Sequence, residues 1–517
     1  MSQSTFLKST IILTIATLLS KILGSIFRIP LQNIAGDEVL GIFSLVYPVY
    51  MVALYLSVAG IPLAISKLIA EVNAKNEHHK VKEIYLTASI LALCFGILSF
   101  TIIYSFSGQI AHALGGPSTE IALIVVALTL LVAPYMAVYR GFFQGYSNMQ
   151  PTAISQVIEQ LVRVCLILAV SFVLVSMNYS NEIIAGGVMV GSVIGALASL
   201  IYLRMKYSRS PMKITFKQKY TFHEFSSWSK VILKISLPIA IGSVTMALFN
   251  FVDSFTITYG LRSAGVAEGE IIDLYGIYGR GLTLVQIATI FASSIILPLV
   301  PLITTKLAEN NITGTREIIE RTHRLTHLIS WPVALGLFAL TLPLNLALFT
   351  NIEGSTMLAI INASSVFTSL TILGTGILQG MNAARIGAII IIGGVLLKVF
   401  SNIIFIQAFN LDGAAYSTLF VYLVLFIVNT IFICKRIRFT VLNFTIIKMI
   451  ISSILMGVII GLPTLFFDIE NWTRIYALIY IFVAMIIGGA IYFALLLLTK
   501  AINRQDLKQF PVIGKRF

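Results

Sequence analysis

Residues 120–145 read EIALIVVALTLLVAPYMAVYRGFFQG, and they indicate the fold class most directly. No charged residue lies between Glu120 and Arg140, and most of the intervening residues are aliphatic. An α-helix rises ~1.5 Å per residue, so nineteen such residues extend about 28 Å, close to the ~30 Å hydrocarbon thickness of a bilayer. The run therefore predicts a transmembrane helix.

Runs of this kind recur along the whole chain, which has 517 residues, 58% hydrophobic and 11% charged. Ordinary soluble domains have roughly 45–50% apolar and about 25% charged residues. The composition therefore predicts an all-α polytopic membrane protein. We expect fourteen transmembrane helices, at about 9–30, 41–66, 84–106, 120–139, 153–177, 183–203, 232–258, 275–304, 325–349, 356–378, 386–408, 412–434, 446–467 and 473–499.

The net charge of +14 is distributed unevenly among the loops. Lys and Arg concentrate after the even-numbered spans, whereas the odd loops 107–120 and 178–182 contain neither. Because cytoplasmic loops carry the excess of Lys and Arg, both termini are predicted to be cytoplasmic. The pattern favours membrane lipids as the partner of these charges and excludes a nucleic-acid-binding domain.

An internal repeat divides the chain into halves. Gly141-Phe-Phe-Gln-Gly145 recurs as Gly376-Ile-Leu-Gln-Gly380, 235 positions later, and the same offset places Arg163 on Lys398. Each repeat holds six spans, an even number. The sequence therefore predicts two parallel six-helix lobes, related by a pseudo-twofold axis along the membrane normal, with the last two spans added outside the repeat.

The predicted domains follow from this repeat. They are an N-lobe at 1–203, a basic cytoplasmic linker at 204–230, a C-lobe at 231–434, spans thirteen and fourteen at 435–499, and a basic cytoplasmic tail at 500–517. The linker carries seven Lys and Arg residues against one acidic residue, Glu224. Such a segment either lies on anionic lipid or is simply solvated.

Ionisable residues inside the predicted spans are few, and basic residues outnumber acidic ones. A charge within a span usually faces a cavity or a partner, because its desolvation is costly. The excess of cations predicts an electropositive cavity between the halves that attracts phosphate. The residues are Lys21, Arg28, Arg163, Arg280 and Lys398, with Glu159 and Asp253 as the acidic members.

Glu159 and Arg163 are four residues apart on one predicted helix. They therefore either neutralise one another or take part in ligand binding. No serine-hydrolase elbow, zinc-protease or P-loop motif is present in the sequence. We therefore predict no catalytic residue, no metal site and no ATP-driven transport.

Three motifs resemble one transporter family. They are Ser20-Lys21-Ile-Leu-Gly24 with Arg28, Arg140-Gly-Phe-Phe-Gln-Gly145, and Tyr275-Gly-Ile-Tyr-Gly-Arg280. They resemble the multidrug/oligosaccharidyl-lipid/polysaccharide (MOP) exporter superfamily, in its polysaccharide flippase branch of stage V sporulation protein B-like proteins and MurJ-type lipid II flippases. The resemblance covers essentially the whole chain.

The resemblance implies a flippase in the cell (plasma) membrane. Such a protein moves an anionic undecaprenyl-pyrophosphate-linked sugar, either a lipid II-like peptidoglycan precursor or a polysaccharide intermediate, from the inner to the outer leaflet by alternating access. Lys21, Arg28 and Arg280 fall where the family places its cavity cations. Spans thirteen and fourteen resemble the pair that forms a groove for the lipid tail.

The resemblance implies no cofactor, and leaves a sodium ion or the membrane potential as the energy source. Some MurJ-type members bind sodium in the second lobe, and Asp253 and Asn402 are the candidates here. Two other functions stay open. A cation-coupled multidrug antiporter of the same superfamily would need cavity carboxylates, and a membrane-embedded glycosyltransferase or acyltransferase would need a catalytic His or Asp at a membrane face.

Overall fold

The computed structural model describes residues 3–58, 60–210 and 220–501. Within these ranges the elements are helical, which confirms the predicted all-α class. The α-helices are α1 (Gln3–Ile26), α2 (Arg28–Val58), α3 (Ile61–Ala74), α4 (His79–Ser105), α5 (Ser107–Leu114), α6 (Glu120–Ala127), α7 (Thr129–Gly145), α8 (Gln150–Ser176), α9 (Asn181–Ser208), α10 (Phe222–Ser263), α11 (Glu268–Ala308), α12 (Ile312–Ala339), α13 (Thr341–Phe349), α14 (Ser355–Gly380), α15 (Ala384–Arg436), α16 (Phe444–Gly461) and α17 (Arg474–Leu498).

Many of these helices suit a bilayer. In the described part of the chain, ten helical segments are long and apolar enough to cross a membrane, or eleven if α12 and α13, which meet at 75°, form one bent span. Each of the fourteen predicted spans overlaps one of the helices. The number fourteen stays a prediction, because some segments contain two predicted spans.

Helix α15 shows how two predicted spans occupy one segment. Asn410 has a φ of 49° and a ψ of −132°, which is not helical, and it lies between the predicted spans 386–408 and 412–434. On either side of it, the Lys398 Nζ donates to the Thr418 Oγ1 at 2.6 Å, and the hydroxyls of Ser401 and Ser417 are 2.8 Å apart. The two halves of α15 therefore lie side by side as a hairpin.

The first predicted span, 9–30, ends earlier than expected. Helix α1 stops at Ile26, and Arg28 begins α2 instead of lying near the outer end of the first helix. Helix α2 is itself interrupted at Gly36, whose φ of 82° lies in the region that favours glycine. Arg28 is consequently carried by the helix that also carries Phe43 and Tyr47.

The chain forms two compact units, Met1–Gly279 and Arg280–Phe517. This division follows packing, whereas the predicted domains 1–203, 204–230, 231–434, 435–499 and 500–517 follow the sequence repeat and stay a prediction. Residues 211–219 of the predicted linker and 502–517 of the predicted tail lie outside the described residues. Both ends of the predicted linker are helical, since α9 continues to Ser208 and α10 starts at Phe222.

The repeated glycines of the first unit lie at a close helix contact. Gly141 and Gly145 of α7 face α3, and a Cβ on Gly141 would lie 2.8 Å from the Pro62 Cα. A Cβ on Gly145 would lie 2.7 Å from the Ile69 Cβ. Small residues spaced four apart allow membrane helices to approach this closely.

The second unit repeats this contact with the equivalent residues. Gly376 and Gly380 of α14 face α11, where added Cβ atoms would lie 2.9 Å from the Ile296 Cγ1 and 2.9 Å from the Ile303 Cβ. Ile69 and Ile303 are separated by nearly the offset that relates the glycines. The repeat detected in the sequence thus corresponds to a repeated packing arrangement.

Candidate functional site

Three polar residues of α8 form a stripe in the first unit. Gln156, Gln160 and Arg163 are spaced by four and three residues, which places them on one face of the helix. Helix α1 packs along this stripe. The Thr17 Oγ1 donates to the Gln156 Oε1 at 3.2 Å, and a Cβ on Gly24 would lie 3.5 Å from the Gln160 Oε1.

Arg163 is buried at the end of this stripe, with 7% of its surface exposed. Its Nε donates to the Ser192 Oγ at 3.1 Å, and its Nη2 donates to the Tyr47 hydroxyl at 2.8 Å. The guanidinium carbon lies 5.2 Å from the centre of the Tyr47 ring. These partners are neutral, so they hold the guanidinium in place without cancelling its charge.

Arg28 lies at the other end of the same aromatic pair. Its guanidinium carbon is 5.5 Å from the centre of the Phe43 ring, and Phe43 stacks on Tyr47 with centroids 5.1 Å apart. Arg28 is 5% exposed, and its buried Nε has no hydrogen-bond partner among the described residues. Arg28, Phe43, Tyr47 and Arg163 therefore form a cation–aromatic ladder.

The ladder has a clear electrostatic character. Each ring presents its electron-rich face to a guanidinium, which stabilises both cations by roughly 0.5–2 kcal/mol per contact. Neither arginine forms an ion pair in the described part of the chain. Two buried guanidinium groups that form no ion pair of their own make this region attractive to an anion such as a phosphate group.

Glu159 forms its ion pair with Arg140 of the neighbouring helix, and not with Arg163 four residues away on its own helix. Its Oε2 accepts from the Arg140 Nη2 at 2.7 Å, and Arg140 also donates to the hydroxyls of Ser155 and Ser199. Arg140 lies on α7, near its C-terminal end. Glu159 therefore pairs with Arg140 on the neighbouring helix, although Arg163 lies only four residues away on its own helix.

Lys21 lies on α1 between Thr17 and Gly24, at the helical spacing of that contact face. Its side chain is exposed, unlike those of Arg28 and Arg163. The structure therefore groups Arg28 and Arg163 around one pair of aromatic rings and places Lys21 on the adjoining helix. Its contact with a substrate stays a prediction.

Arg280 begins the second unit and is fully buried. Its Nη1 donates to the Asn345 Oδ1 at 3.0 Å and to the Asn351 Oδ1 at 2.7 Å, and its guanidinium lies 5.4 Å from the Phe349 ring centre. The Asn345 Nδ2 in turn donates to the Glu353 carbonyl oxygen at 2.8 Å, which orients the amide oxygen towards Arg280. Arg280 thus organises the end of α13 and the turn that follows it.

Lys398 is also buried, at 1% exposure, and its Thr418 contact joins the two halves of α15. The two residues considered for sodium binding belong to different units. Asp253, in the first unit, accepts from the Tyr278 hydroxyl at 2.8 Å, and Asn402 is fully buried in the second unit. The roles of Lys398, Asp253 and Asn402 in binding stay predictions.

Several residues of this region were not predicted from the sequence. Phe43 and Tyr47 are four apart on α2, and Gln156 and Gln160 are four apart on α8, so each pair shares a helix face. The spacing of four residues within each pair was the signal in the sequence that could have identified them. It is weak alone, because aromatic and amide side chains at helical spacing usually serve packing.

The second unit contains an apolar groove of about 290 Å³ between α12, α13, α16 and α17. Glycines on α12 and α17 leave room in it, and a Cβ on Gly336 would contact only the Met456 Cε, at 3.8 Å. Its lining includes Pro332, Leu340, Leu344, Ile460, Ile481 and Gly488. Helices α16 and α17 correspond to the two added spans of the prediction.

Comparison with known families gives a match over more than half of the chain. Residues 6–306 match the family model described as "Polysaccharide biosynthesis protein". This segment contains Lys21, the cation–aromatic ladder and Arg280.

Curated relatives align along nearly the entire length. The uncharacterized membrane protein YabM of Bacillus subtilis is 30% identical, over 98% of this chain and 94% of that protein. The lipid II flippase MurJ of the same organism is 25% identical, over 95% and 94%. Its stage V sporulation protein B is 26% identical, over 100% and 99%.

Solved structures identify the fold. An inward-facing MATE family multidrug transporter of the MOP superfamily superimposes with a TM-score of 0.68 and 15% identity, over 83% of this chain and 98% of that one. Lipid II flippase MurJ in an inward closed conformation gives 0.66 and 17%, over 94% and 100%. The predicted resemblance to the polysaccharide flippase branch of this superfamily is confirmed.

Proposed function

The chain belongs to the polysaccharide biosynthesis protein family, and from that premise we propose that it flips an undecaprenyl-pyrophosphate-linked sugar from the inner to the outer leaflet by alternating access. Its relatives with a named activity are flippases and transporters, so it is a multi-pass membrane transporter rather than an enzyme. The glycosyltransferase and acyltransferase alternative is therefore dropped.

The cation–aromatic ladder carries this proposal. Arg28 and Arg163 are buried, retain their charge and have neutral neighbours. A pyrophosphate offers several anionic oxygens to such guanidinium groups, and charge-assisted hydrogen bonds of this kind are about twice as strong as neutral ones. The drug antiporter would require free carboxylates, whereas Glu159 is paired with Arg140.

The apolar groove of the second unit suits the polyprenyl part of the same ligand. Its lining is aliphatic, and burial of each CH₂ group there is worth roughly 0.8 kcal/mol. Replacing Gly336 by Phe fills the groove and is expected to slow flipping of long-chain more than short-chain polyprenyl substrates. Gly393→Phe, at an exposed position of α15 with no atom near its Cβ, is the matched control.

The test of function uses the purified protein in vesicles. One set contains an undecaprenyl-pyrophosphoryl sugar with a fluorescent group that membrane-impermeant dithionite reduces, and a second set contains a fluorescent lipophilic cation. We expect the protein to make inner-leaflet sugar lipid accessible and to leave cation efflux at the level of empty vesicles. Cation efflux without sugar-lipid flipping would replace this proposal with the drug antiporter.

The energy source and the orientation belong to the same proposal. A sodium gradient or the membrane potential drives transport. Each is imposed separately on these vesicles, and the one that accelerates flipping is the energy source.

The proposed orientation places both termini on the cytoplasmic side of the cell membrane. With the native cysteines replaced, single cysteines at Asn76 and Thr313 should then label from the cytoplasm, and at Ser118 and Glu268 from outside; labelling of Ser118 from the cytoplasm contradicts this orientation.

A further inference from the structure

The two glutamines beside the ladder have a chemistry that the phosphate-binding proposal does not use. We propose that Gln156 and Gln160 form a hydrogen-bonding subsite for the sugar of the ligand, next to the cations that take its pyrophosphate. This inference rests on the proposed function and names which residues of the first unit recognise which part of the substrate.

The orientation of the two amides is the first step. The Gln156 Oε1 accepts from the Thr17 hydroxyl at 3.2 Å, and the Gln160 Oε1 accepts from the Arg163 Nη1 in a longer contact of 3.5 Å. Protein neighbours therefore occupy both amide oxygens. The NH₂ group of each side chain, with its two N–H donors, is therefore the part that can bind a ligand.

These donors are available to a ligand. Neither amide nitrogen has a hydrogen-bond partner in the described part of the chain, and both glutamine side chains are only half-buried. Neither nitrogen is among the enclosed polar atoms that lack a partner. The four N–H groups consequently open onto accessible space.

The order of groups along α8 matches the order of groups in the ligand. Gln156 and Arg163 are separated by about 10 Å along the helix axis, with Gln160 between them. Neutral donors come first and the buried guanidinium comes last. A sugar pyrophosphate has the same sequence, with hydroxyl and carbonyl acceptors at one end and concentrated negative charge at the other.

The competing explanation is structural. Polar side chains commonly join membrane helices, and the Thr17–Gln156 contact does join α1 to α8. That role uses the amide oxygens alone, however. It predicts that loss of a glutamine weakens every ligand equally, whereas a sugar subsite predicts a larger loss for ligands that carry a sugar.

The experiment compares two probes on the full-length protein in nanodiscs. The probes are undecaprenyl pyrophosphate and undecaprenyl pyrophosphate carrying one N-acetylhexosamine. We expect the native protein to bind the sugar-bearing lipid more tightly. Gln156→Ala should reduce binding of that lipid by roughly three- to tenfold, the effect of losing one or two neutral hydrogen bonds, and leave binding of the bare pyrophosphate lipid unchanged. Gln160→Ala should lower binding of the sugar-bearing lipid by a similar factor and that of the bare lipid by less, because it also removes the oxygen that contacts the Arg163 Nη1.

Gln150→Ala is the control, because Gln150 begins the same helix and is exposed. It should change neither affinity, and the thermal unfolding midpoint of every variant monitors folding. Equal losses for both probes, or no loss for either, would overturn the sugar subsite while the flippase proposal stands. Failure of the native protein to bind either lipid would instead overturn the proposed function itself.

Discussion

Arg163 in the first unit and Lys398 in the second occupy equivalent positions of the repeat, yet their surroundings differ. Arg163 lies between two hydroxyl groups and an aromatic face, within the ladder that also holds Arg28. Lys398 joins the two halves of α15 through Thr418. Under the proposed function, we expect this repeat position to bind the anion in the first unit and to serve helix packing in the second.

The largest expected effect tests the charge of the first unit. Arg28→Glu should abolish flipping of the sugar lipid, because it places a carboxylate at the proposed pyrophosphate site. Arg28→Ala removes one charge-assisted interaction, worth about 1.5–3 kcal/mol, and should weaken flipping tenfold or more without abolishing it. Likewise, Lys21→Ala should weaken flipping and Lys21→Glu should abolish it. Normal flipping by both Glu variants in the vesicle assay would refute a cationic site.

Arg280 extends this test to the second unit. Arg280→Ala should weaken flipping and Arg280→Glu should abolish it. Because the native guanidinium donates to the buried Asn345 Oδ1, both variants should also lower the unfolding midpoint, by leaving that amide oxygen without a donor. Full activity of Arg280→Glu in a folded protein would remove Arg280 from the transport mechanism.

A matched pair of substitutions tests the comparison directly. Arg163→Met should reduce affinity for the pyrophosphate lipid by about tenfold or more, since a charge-assisted contact is lost. Lys398→Met keeps similar volume and should leave that affinity unchanged, without lowering stability, because apolar replacement of a buried charge is often neutral. Lipid binding and thermal unfolding are measured on both. Equal losses of affinity would mean that Lys398 binds substrate, as predicted from the sequence.

The Arg140–Glu159 pair sharpens the description of the first unit. Arg140→Met leaves the Glu159 carboxylate uncompensated on the helix of Arg163, so pyrophosphate affinity should fall by roughly three- to tenfold, as expected for a like charge opposing the ligand. Adding Glu159→Gln should restore most of it. If the double variant binds no better than Arg140→Met, the pair has no electrostatic influence on the site.

The smallest effects concern the repeated glycines. Gly141→Ala and Gly376→Ala should each destabilise the protein by about 1–3 kcal/mol, because each new methyl group overlaps an opposing helix. Gly393→Ala, with open space around its Cβ, should stabilise by up to ~1 kcal/mol through helix propensity. Unfolding midpoints in detergent provide the comparison. A destabilised Gly141→Ala beside an unaffected Gly376→Ala would break the proposed equivalence of the two contacts.

The features that the sequence predicts well depend on hydrophobic length and on charge inside apolar runs. These rules locate the helices, and they single out Arg28 and Arg163 because a bilayer makes such residues costly. The partners of those residues could not be predicted in the same way. The i, i+4 rule favours Glu159 with Arg163, but Arg140 on α7 reaches the carboxylate instead.

Another difference is the end of α1, which lies before Arg28 rather than after it. The break of α15 at Asn410, in contrast, falls between the predicted spans 386–408 and 412–434. The burial of Arg280 depends on Asn345 and Asn351, which are more than sixty positions away. Contacts between residues so far apart in the chain follow from tertiary packing, and no periodic pattern in the sequence indicates them.

The burial of the ladder also determines how transport responds to ionic strength. Counter-ions screen charges at a surface, but they have little access to guanidinium groups that are about nineteen-twentieths enclosed. Salt should therefore change the rate at which an anionic headgroup arrives at the exposed basic residues of the protein, and leave nearly unaltered the time for which a headgroup stays bound at the ladder as proposed.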